Sequence, residues 1–350
     1  MFKHYIISIK NCHKVGCLYF WDKIASSLET FWGGHMSNQP KHQFNHPKGP
    51  EYKRPWGLFQ NPKVRQEIAQ LDAKKDCQRI VFLLKAYEFP SDLTHALEMG
   101  LYHTYGSRTV AKLLDYTQEF ENFGQKRYDD TYILIAQFME AGWDNELGAR
   151  ALKQVAKAHS RFAIKNDDYL FVLWTFIEFP IQWMRKYGWR KFTPHEEKAW
   201  YAYWLKIGEH MGIQSLPREK EVFASFVEDY EKREMVPNEY SERVSIATVR
   251  IMQGWLPKIL RPLVMPLAAC LSEPRFLEAV NYKKPNSIAK FLVHSCLKIR
   301  ALIKRLISFD KFPDLLAENY YRTYPNGDFE IEALKPDYFD QSNLKTKTLN

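Results

Sequence analysis

Cysteine is scarce in this chain and is not arranged as a metal site or a disulfide framework. The 350 residues include five cysteines, which are widely scattered and form no Cys-x-x-Cys pair. A zinc ribbon needs closely paired cysteines, and a disulfide framework normally uses an even number of them. Neither class is therefore indicated, and a reducing compartment is the simplest inference.

Long apolar runs are also missing. The YIISI stretch near the N-terminus is too short for the core of a signal peptide, and no small-residue cleavage site follows it. The longest apolar stretch, 169–184, contains Glu178 and Pro180 and falls short of the about 20 residues that a membrane-spanning helix needs. We therefore expect a cytoplasmic protein whose contact with a membrane, if any, is peripheral.

Several catalytic and binding motifs do not occur. The sequence has no H-E-x-x-H helix, no G-x-S-x-G elbow, no phosphate loop and no G-x-G-x-x-G turn. A di-iron bundle needs Glu-x-x-His pairs, and the nearest match is Asp92-x-x-His95. The formal net charge of +9 is spread along the chain without a zinc-finger or RNP pattern, so we expect no nucleic-acid partner.

Helical spacing recurs along the chain, whereas the alternation typical of strands is nearly absent. Thr193-Pro194-His195-Glu196 has the pattern of a capping box, and Asp92 is expected to cap the helix that follows Pro90. The fold class that we predict is all-α, a single multi-helix domain over 55–330. A loosely ordered N-terminal extension, 1–54, would precede it, and a polar tail, 331–350, would follow.

The last long helix, predicted near 289–308, is apolar with basic residues interleaved. Such a helix can lie on a membrane surface, with its apolar side in the lipid and its cations near the headgroups. It can equally pack on the protein body with its charges in water. Peripheral membrane contact through 289–308 is therefore one of two alternatives.

One histidine has an unusual position. Leu152, Val155, His159 and Phe162 follow one another at steps of three and four residues, so they share one stripe of a helix. The stripe is otherwise apolar, which predicts that it faces the core. A core histidine normally finds hydrogen-bond partners for its ring nitrogens. The alternative is an axial ligand to a metal or a haem, since neutral imidazole is a common metal ligand.

A second unusual feature is an arginine one turn before a threonine on an apolar stripe. Arg127 and Thr131 share this stripe with Leu134 and Phe138, and Asp130 is adjacent. The plain interpretation is a solvated arginine at a surface turn. With His159, however, the pair suits a haem held by a single histidine. Arg127 could then stabilise negative charge on reduced oxygen, and Thr131 could donate or relay a proton.

Three stretches resemble the MpaB-like oxygenases, a group similar to the latex-clearing rubber oxygenases. They are KDCQRIVFLLKAYEFP (75–90), the run from KRYDDT to NDDYLFVLWTFIEFPIQWMRKYGWR (126–190) and HEEKAWYAYWLKIGEHMGI (195–213). The resemblance covers about residues 55–270. It implies an all-α protein, since the family is all-α. It also implies haem b and dioxygen chemistry on isoprenoid carbon–carbon double bonds, as in the rubber oxygenases, and the fungal branch is bound to the endoplasmic reticulum.

The resemblance also implies roles for individual residues. The family's axial ligand to the haem iron matches His159, and its distal arginine and threonine match Arg127 and Thr131. Rubber oxygenases carry a lysine where this chain has Asp130, so Asp130 is a further catalytic candidate. We expect a haem b-dependent oxygenase that oxidises or cleaves an apolar, isoprenoid-type substrate. The alternative is a non-catalytic helical carrier that binds haem or lipid in the same pocket.

Overall fold

The computed structural model describes residues 62–307, 313–316 and 319–336, and every regular element in these ranges is helical. This confirms the predicted all-α class. The proposed N-terminal extension, 1–54, lies outside the described residues. The described α-helices are α1 (Pro62–Gln70), α2 (Cys77–Leu83), α3 (Pro90–Thr104), α4 (Arg108–Thr117), α5 (Glu119–Asn122), α6 (Gly124–Ala141), α7 (Glu146–His159), α8 (Asn166–Tyr187), α9 (Pro194–His210), α10 (Lys220–Glu234), α11 (Glu239–Gly254), α12 (Val264–Leu271), α13 (Pro274–Ala279) and α14 (Ser287–Leu306).

Three short elements of other types complete this set. A π-helical turn, Leu84–Glu88, continues α2, and 3-10 turns span Lys258–Leu263 and Ile331–Ala333. Among the described residues, every helix falls short of the length or apolar character that crossing a bilayer requires.

The central element is α8, which packs most extensively on α3 and also contacts α9, α10 and α14. Most of its apolar side chains are buried, including Phe171, Ile177 and Ile181. The close approach to α3 needs a glycine, because a Cβ atom at Gly100 would lie 2.9 Å from the carbonyl oxygen of Thr175. Burial of α8 on several sides explains why its sequence is almost continuously apolar.

The helix starts test the capping predictions. The capping box is confirmed: the Glu196 amide donates to the Thr193 hydroxyl at 3.2 Å, and the Thr193 amide donates to the Glu196 carboxylate at 2.8 Å. The prediction for Asp92 was wrong, since α3 begins at Pro90 and Asp92 is fully buried inside it. Proline is well suited to the first helical position, which moves the helix start ahead of the aspartate. Asp92 instead accepts hydrogen bonds from Arg300.

Helix α14 corresponds to the helix predicted near 289–308. The expectation that its charges would all be in water holds for Lys298 but not for Arg300 and Lys304, which are 7% and 2% exposed. The Arg300 guanidinium lies 2.7 Å from the Asp92 carboxylate, and the Lys304 ammonium lies 3.1 Å from it. These ion pairs attach α14 to α3 through its cationic side.

The first residues of the predicted tail, 331–350, pack on α7. The Arg150 guanidinium donates to the Glu332 carboxylate at 2.7 Å, and the Gln154 amide donates to the carbonyl oxygen of Leu334 at 3.0 Å. Ile331 and Leu334 are buried. The domain limits stay predictions.

Candidate functional site

Two consecutive helices, α6 and α7, carry all the predicted site residues and pack against each other. The connection between them is short. Gly142 ends α6 with a φ of 77°, a backbone conformation that favours glycine, and the Asn145 side chain accepts from the Leu147 amide at 2.9 Å. The sequence thus folds back on itself, so that Arg127 near the start of α6 and His159 at the end of α7 are brought to the same end of the pair.

His159 is the last residue of α7, and its ring is half-buried. Its Nδ1 atom is buried and has no hydrogen-bond partner among the described residues. The ring packs edge-on against Tyr169, with 5.8 Å between ring centroids. Burial, together with the positive charge of Arg127, lowers the pKa of His159 to about 4. The imidazole is therefore neutral at physiological pH.

Arg127 and Thr131 are in direct contact, since the guanidinium donates to the threonine hydroxyl at 2.5 Å. The same hydroxyl donates to the backbone carbonyl oxygen of Arg127 at 2.7 Å. Both side chains are half-buried and line a cavity, so Arg127 is not a solvated arginine at a surface turn. A spacing of four residues on a helix allows this contact, and the roles of the two residues in a site stay predictions.

The cavity beside this pair contains about 850 Å³ of atom-free space, its open mouth included, and its surface is almost wholly apolar. Helices α3, α6 and α11 supply most of the lining. The lining residues are Lys85, Thr94, Leu97, Glu98, Leu101, Tyr102, Tyr105, Phe120, Arg127, Tyr128, Thr131, Tyr132, Ile135, Ala136, Met139, Phe176, Thr248, Ile251, Met252 and Trp255. His159 is not part of this lining, although the charge of Arg127 acts on its ring.

Asp130 does not line the cavity either. It is buried, lies 2.8 Å from the Lys126 ammonium and accepts a hydrogen bond of 2.6 Å from the Tyr324 hydroxyl. Burial raises the pKa of Asp130, and these two partners act in the opposite direction. In this structure the carboxylate therefore ties α6 to the C-terminal segment, and its catalytic role stays a prediction.

The polar lining residues that the sequence analysis did not identify include Tyr128, Glu98 and Lys85. Tyr128 donates to the Glu98 carboxylate at 2.5 Å inside the cavity, and burial raises the pKa of the tyrosine. Lys85 comes from the π-helical turn and is paired with Asp314. Burial alone would lower the pKa of Lys85, but the Asp314 carboxylate, together with Tyr132 and Glu140, outweighs it and raises the pKa. A π-helical turn is often found at functional sites, but the sequence carries no signal for it here.

A second group of possible metal ligands lies elsewhere, at a different cavity. The ligand atoms of His103, Glu231 and Glu273 all lie within 4.8 Å of one another. Glu231 already accepts from the His103 ring at 2.9 Å and from Arg275 at 3.0 Å. These contacts place His103 and Glu231 in a network of ion pairs and hydrogen bonds. We assign no metal to it.

Comparison with known proteins gives consistent matches. Residues 103–296 match the family described as "ER-bound oxygenase mpaB/B'/Rubber oxygenase, catalytic domain". The chain is 27% identical over 271 residues to ER-bound oxygenase mpaB' of Penicillium brevicompactum. This alignment covers 71% of this chain and 63% of that protein. The chain is also 27% identical over 216 residues to ER-bound oxygenase mpaB of Penicillium roqueforti (strain FM164), which is 56% of this chain and 72% of the relative.

The first of these relatives is therefore matched over less than two thirds of its own length. A third relative, ER-bound oxygenase mpaB of Penicillium brevicompactum, is 30% identical over 172 residues, 43% of each chain. The family match covers more than half of the chain, from His103 to Cys296, and includes both α6 and α7. The chain belongs to the family of the ER-bound oxygenases mpaB/B' and the rubber oxygenase catalytic domains.

Proposed function

We propose that this chain is an oxygenase that binds haem b and uses dioxygen to oxidise or cleave an apolar, isoprenoid-type substrate. The observation that carries the proposal is a combination of three features. A neutral imidazole, His159, has a buried ring nitrogen with no hydrogen-bond partner in the part of the chain that the structure describes, and Arg127 and Thr131 form a pair on the neighbouring helix. That pair borders an apolar cavity.

The donor set fits a haem. A buried imidazole nitrogen normally has a partner, and the Nδ1 atom of His159 has none within residues 62–307, 313–316 and 319–336, which supports a role as a ligand. Neutral imidazole is the form that ligates iron, and a single histidine is a standard axial ligand of haem. His159 would hold the iron, and Arg127 would supply a positive charge at the cavity wall. When bound, haem b supplies the redox-active iron that dioxygen chemistry requires.

Three polar side chains of the cavity, Arg127, Thr131 and Glu98, would have different roles in the reaction. Arg127 keeps a positive charge at the cavity wall, where it stabilises negative charge that develops in the reaction. Thr131 can supply a proton only after its hydroxyl turns away from the carbonyl oxygen of Arg127, to which it now donates. Glu98 is a carboxylate of the lining that accepts from Tyr128 and contacts the His95 ring at 3.2 Å, and in this proposal it would take up a proton from the substrate.

The substrate class follows from the lining. Leu, Ile, Met and aromatic side chains dominate the wall, which favours a hydrocarbon guest and excludes water from it. The relatives are described as ER-bound, which supports a substrate that is encountered at a membrane. Dioxygen and an apolar small molecule are thus the partners that we propose for this chain.

The proposal is tested by the absorption spectrum of the full-length chain purified from cells supplied with a haem precursor. We expect a Soret band and one iron per chain, and we expect His159→Ala to lose both. His195→Ala is the matched control, because His195 is also half-buried and also has a ring nitrogen without a partner among the described residues. A chain that takes up no haem, or His159→Ala with an unchanged band, would overturn the proposal.

The second candidate function is a non-catalytic carrier that holds haem or lipid, and the apolar lining of the cavity favours it equally. Oxygen uptake with a linear isoprenoid such as squalene separates the two functions. We expect uptake by the wild-type chain and a strong reduction in Arg127→Gln with the haem content retained. A chain that binds haem and isoprenoid but consumes no oxygen is the carrier.

A further inference from the structure

We propose that the outward side of α14 is a docking face for an anionic lipid surface. This face, which we call the α14 stripe, consists of large apolar side chains that are 44–73% exposed. Its members are Ile288, Phe291, Leu292, Ile299, Leu302 and Leu306. The inference concerns a helix other than those that carry His159 and Arg127, and it does not depend on the proposed haem chemistry.

The α14 stripe runs from the first turn of the helix to the last, with one gap between Leu292 and Ile299. Its members recur at helical spacing, so they fall within an arc of about 100°, the usual width of the apolar face that a helix buries. Ser295 is the polar residue within this arc. The opposite side of the helix is buried and includes Val293, Leu297 and Arg300. Helix α14 therefore has its packing side satisfied and still presents a second, unburied apolar side.

The inner side of α14 combines apolar residues with two cations, and its outer side is unusually apolar for a surface helix. Two cations, Arg300 and Lys304, are inside and are paired with Asp92, while six large apolar side chains face outward. Single exposed apolar residues are common on soluble proteins, but a contiguous exposed apolar patch marks an interaction site. The 20-residue length of α14 makes the α14 stripe such a patch.

The charge around the α14 stripe selects the partner. Residues 279–308 contain no Asp or Glu, and Lys298 and Arg305 are exposed along one edge of the stripe. A lipid surface with anionic headgroups complements an apolar stripe with a basic edge, because the side chains enter the acyl region while the cations stay at headgroup level. A basic residue near such a surface also strengthens binding at low salt.

The same charge disfavours two other occupants. A second copy of the chain would place one basic edge against another, so like charges would repel. The N-terminal residues 1–61 carry eight Lys and Arg against three Asp and Glu, so their own charge opposes docking on this face. An anionic membrane is the occupant that satisfies both the apolar and the charged parts of the surface.

A second exposed apolar element lies beside α14. In the 3-10 turn Lys258–Leu263, Ile259 is 85% exposed and Leu263 is 44% exposed. Helix α12 packs on both this turn and α14, so the two elements flank the same helix. Residues 258–272 also contain no acidic residue. The turn therefore provides an additional apolar contact of the same electrostatic character.

The test is co-sedimentation of the full-length chain with phosphatidylcholine vesicles, with and without phosphatidylserine, at low salt. We expect binding to the anionic vesicles that weakens as salt is added. Phe291→Ser/Leu302→Ser should lower the partition coefficient by about tenfold or more. A factor of ten corresponds to about 1.4 kcal/mol, and the variant removes two large apolar side chains from the lipid contact. Val222→Ser, on α10, is the control because Val222 is 58% exposed, and it should bind as the wild type does.

The electrostatic part is tested by Lys298→Glu/Arg305→Glu, which should remove the preference for phosphatidylserine. Lys191→Glu/Lys198→Glu is the matched control, because these two exposed lysines have the same spacing of seven residues. Circular dichroism and thermal unfolding confirm that each variant is folded. The proposal would be overturned if the wild-type chain bound no vesicles. It would also be overturned if the Phe291/Leu302 variant and the Lys298/Arg305 variant both bound as the wild type does. A dimer in sedimentation that Phe291→Ser/Leu302→Ser dissociates would show that the face joins two copies instead.

Discussion

The ion pairs between α3 and α14 give the sharpest prediction for stability. Asp92 is fully buried, and its carboxylate lies 2.7 Å from the Arg300 guanidinium and 3.1 Å from the Lys304 ammonium. The Trp183 indole also donates to it, at 3.2 Å. Asp92→Asn keeps the size of the side chain but removes the charge that both cations face. Removing one partner of a buried ion pair costs about 3–5 kcal/mol, and we expect a loss in that range.

The measurement is urea unfolding followed by circular dichroism and tryptophan fluorescence. Asp229→Asn is the control, because Asp229 is 73% exposed in its ion pair with Lys232, and exposed pairs contribute about 0–1 kcal/mol. Replacing all three members by apolar residues, as Asp92→Leu/Arg300→Met/Lys304→Met, should recover most of the lost stability. A loss below about 1 kcal/mol for Asp92→Asn would contradict the electrostatic reasoning.

The same pairs predict a dependence on pH. Burial would raise the pKa of Asp92, but Arg300 and Lys304 outweigh it and hold the pKa below its ordinary value. A group with a lowered pKa in the folded state stabilises the fold above its unfolded pKa, about 3.9, and loses that contribution as pH falls towards the folded value. The difference in unfolding free energy between wild type and Asp92→Asn should therefore shrink below about pH 4. A difference that grows on acidification would refute this assignment.

Three further predictions concern other parts of the molecule. Gly148→Ala should lower the melting temperature by several degrees, because a Cβ atom there would lie 1.9 Å from the Gly142 carbonyl oxygen. Gly254→Ala is the control and should change the melting temperature little, because a Cβ atom at Gly254 would have no neighbour within 4 Å. Thr193→Ala should cost about 1 kcal/mol in urea unfolding, since it removes the capping hydrogen bond, and an unchanged midpoint would contradict that role. Arg127→Lys should retain haem but lower oxygen uptake at least about tenfold, because lysine lacks the planar donor set, and full activity would exclude the arrangement proposed for Arg127.

Local features of the fold could be predicted from the sequence, and features with distant partners could not. The capping box at Thr193 involves residues three apart, and spacing alone identified it. Asp92 was misassigned as a cap because its partners, Arg300 and Lys304, are more than 200 residues away. Likewise, periodicity identifies the apolar stripe of α14. Periodicity alone does not show that Arg300 and Lys304 point inward, where they pair with the buried Asp92 carboxylate.

The candidate site shows the same division. The spacing placed Arg127 and Thr131 one turn apart on one helix, where they are in contact, and the short connection between α6 and α7 brings His159 to the same end of the helix pair. The cavity itself is assembled from α3, α6 and α11, so Glu98 became a candidate only once the packing of these helices was known. In the sequence, nothing distinguishes Glu98 from a glutamate on the exposed side of an amphipathic helix.

The central claim is that His159 binds an iron rather than only filling space, and rescue by free imidazole tests it most directly. His159→Gly, purified without and then with added imidazole, is compared by absorption spectroscopy with the wild-type chain and with His195→Gly. We predict that His159→Gly loses the Soret band of the wild type and regains it with imidazole, while His195→Gly keeps it throughout. A His159→Gly variant whose haem spectrum equals that of the wild type without imidazole would contradict the claim.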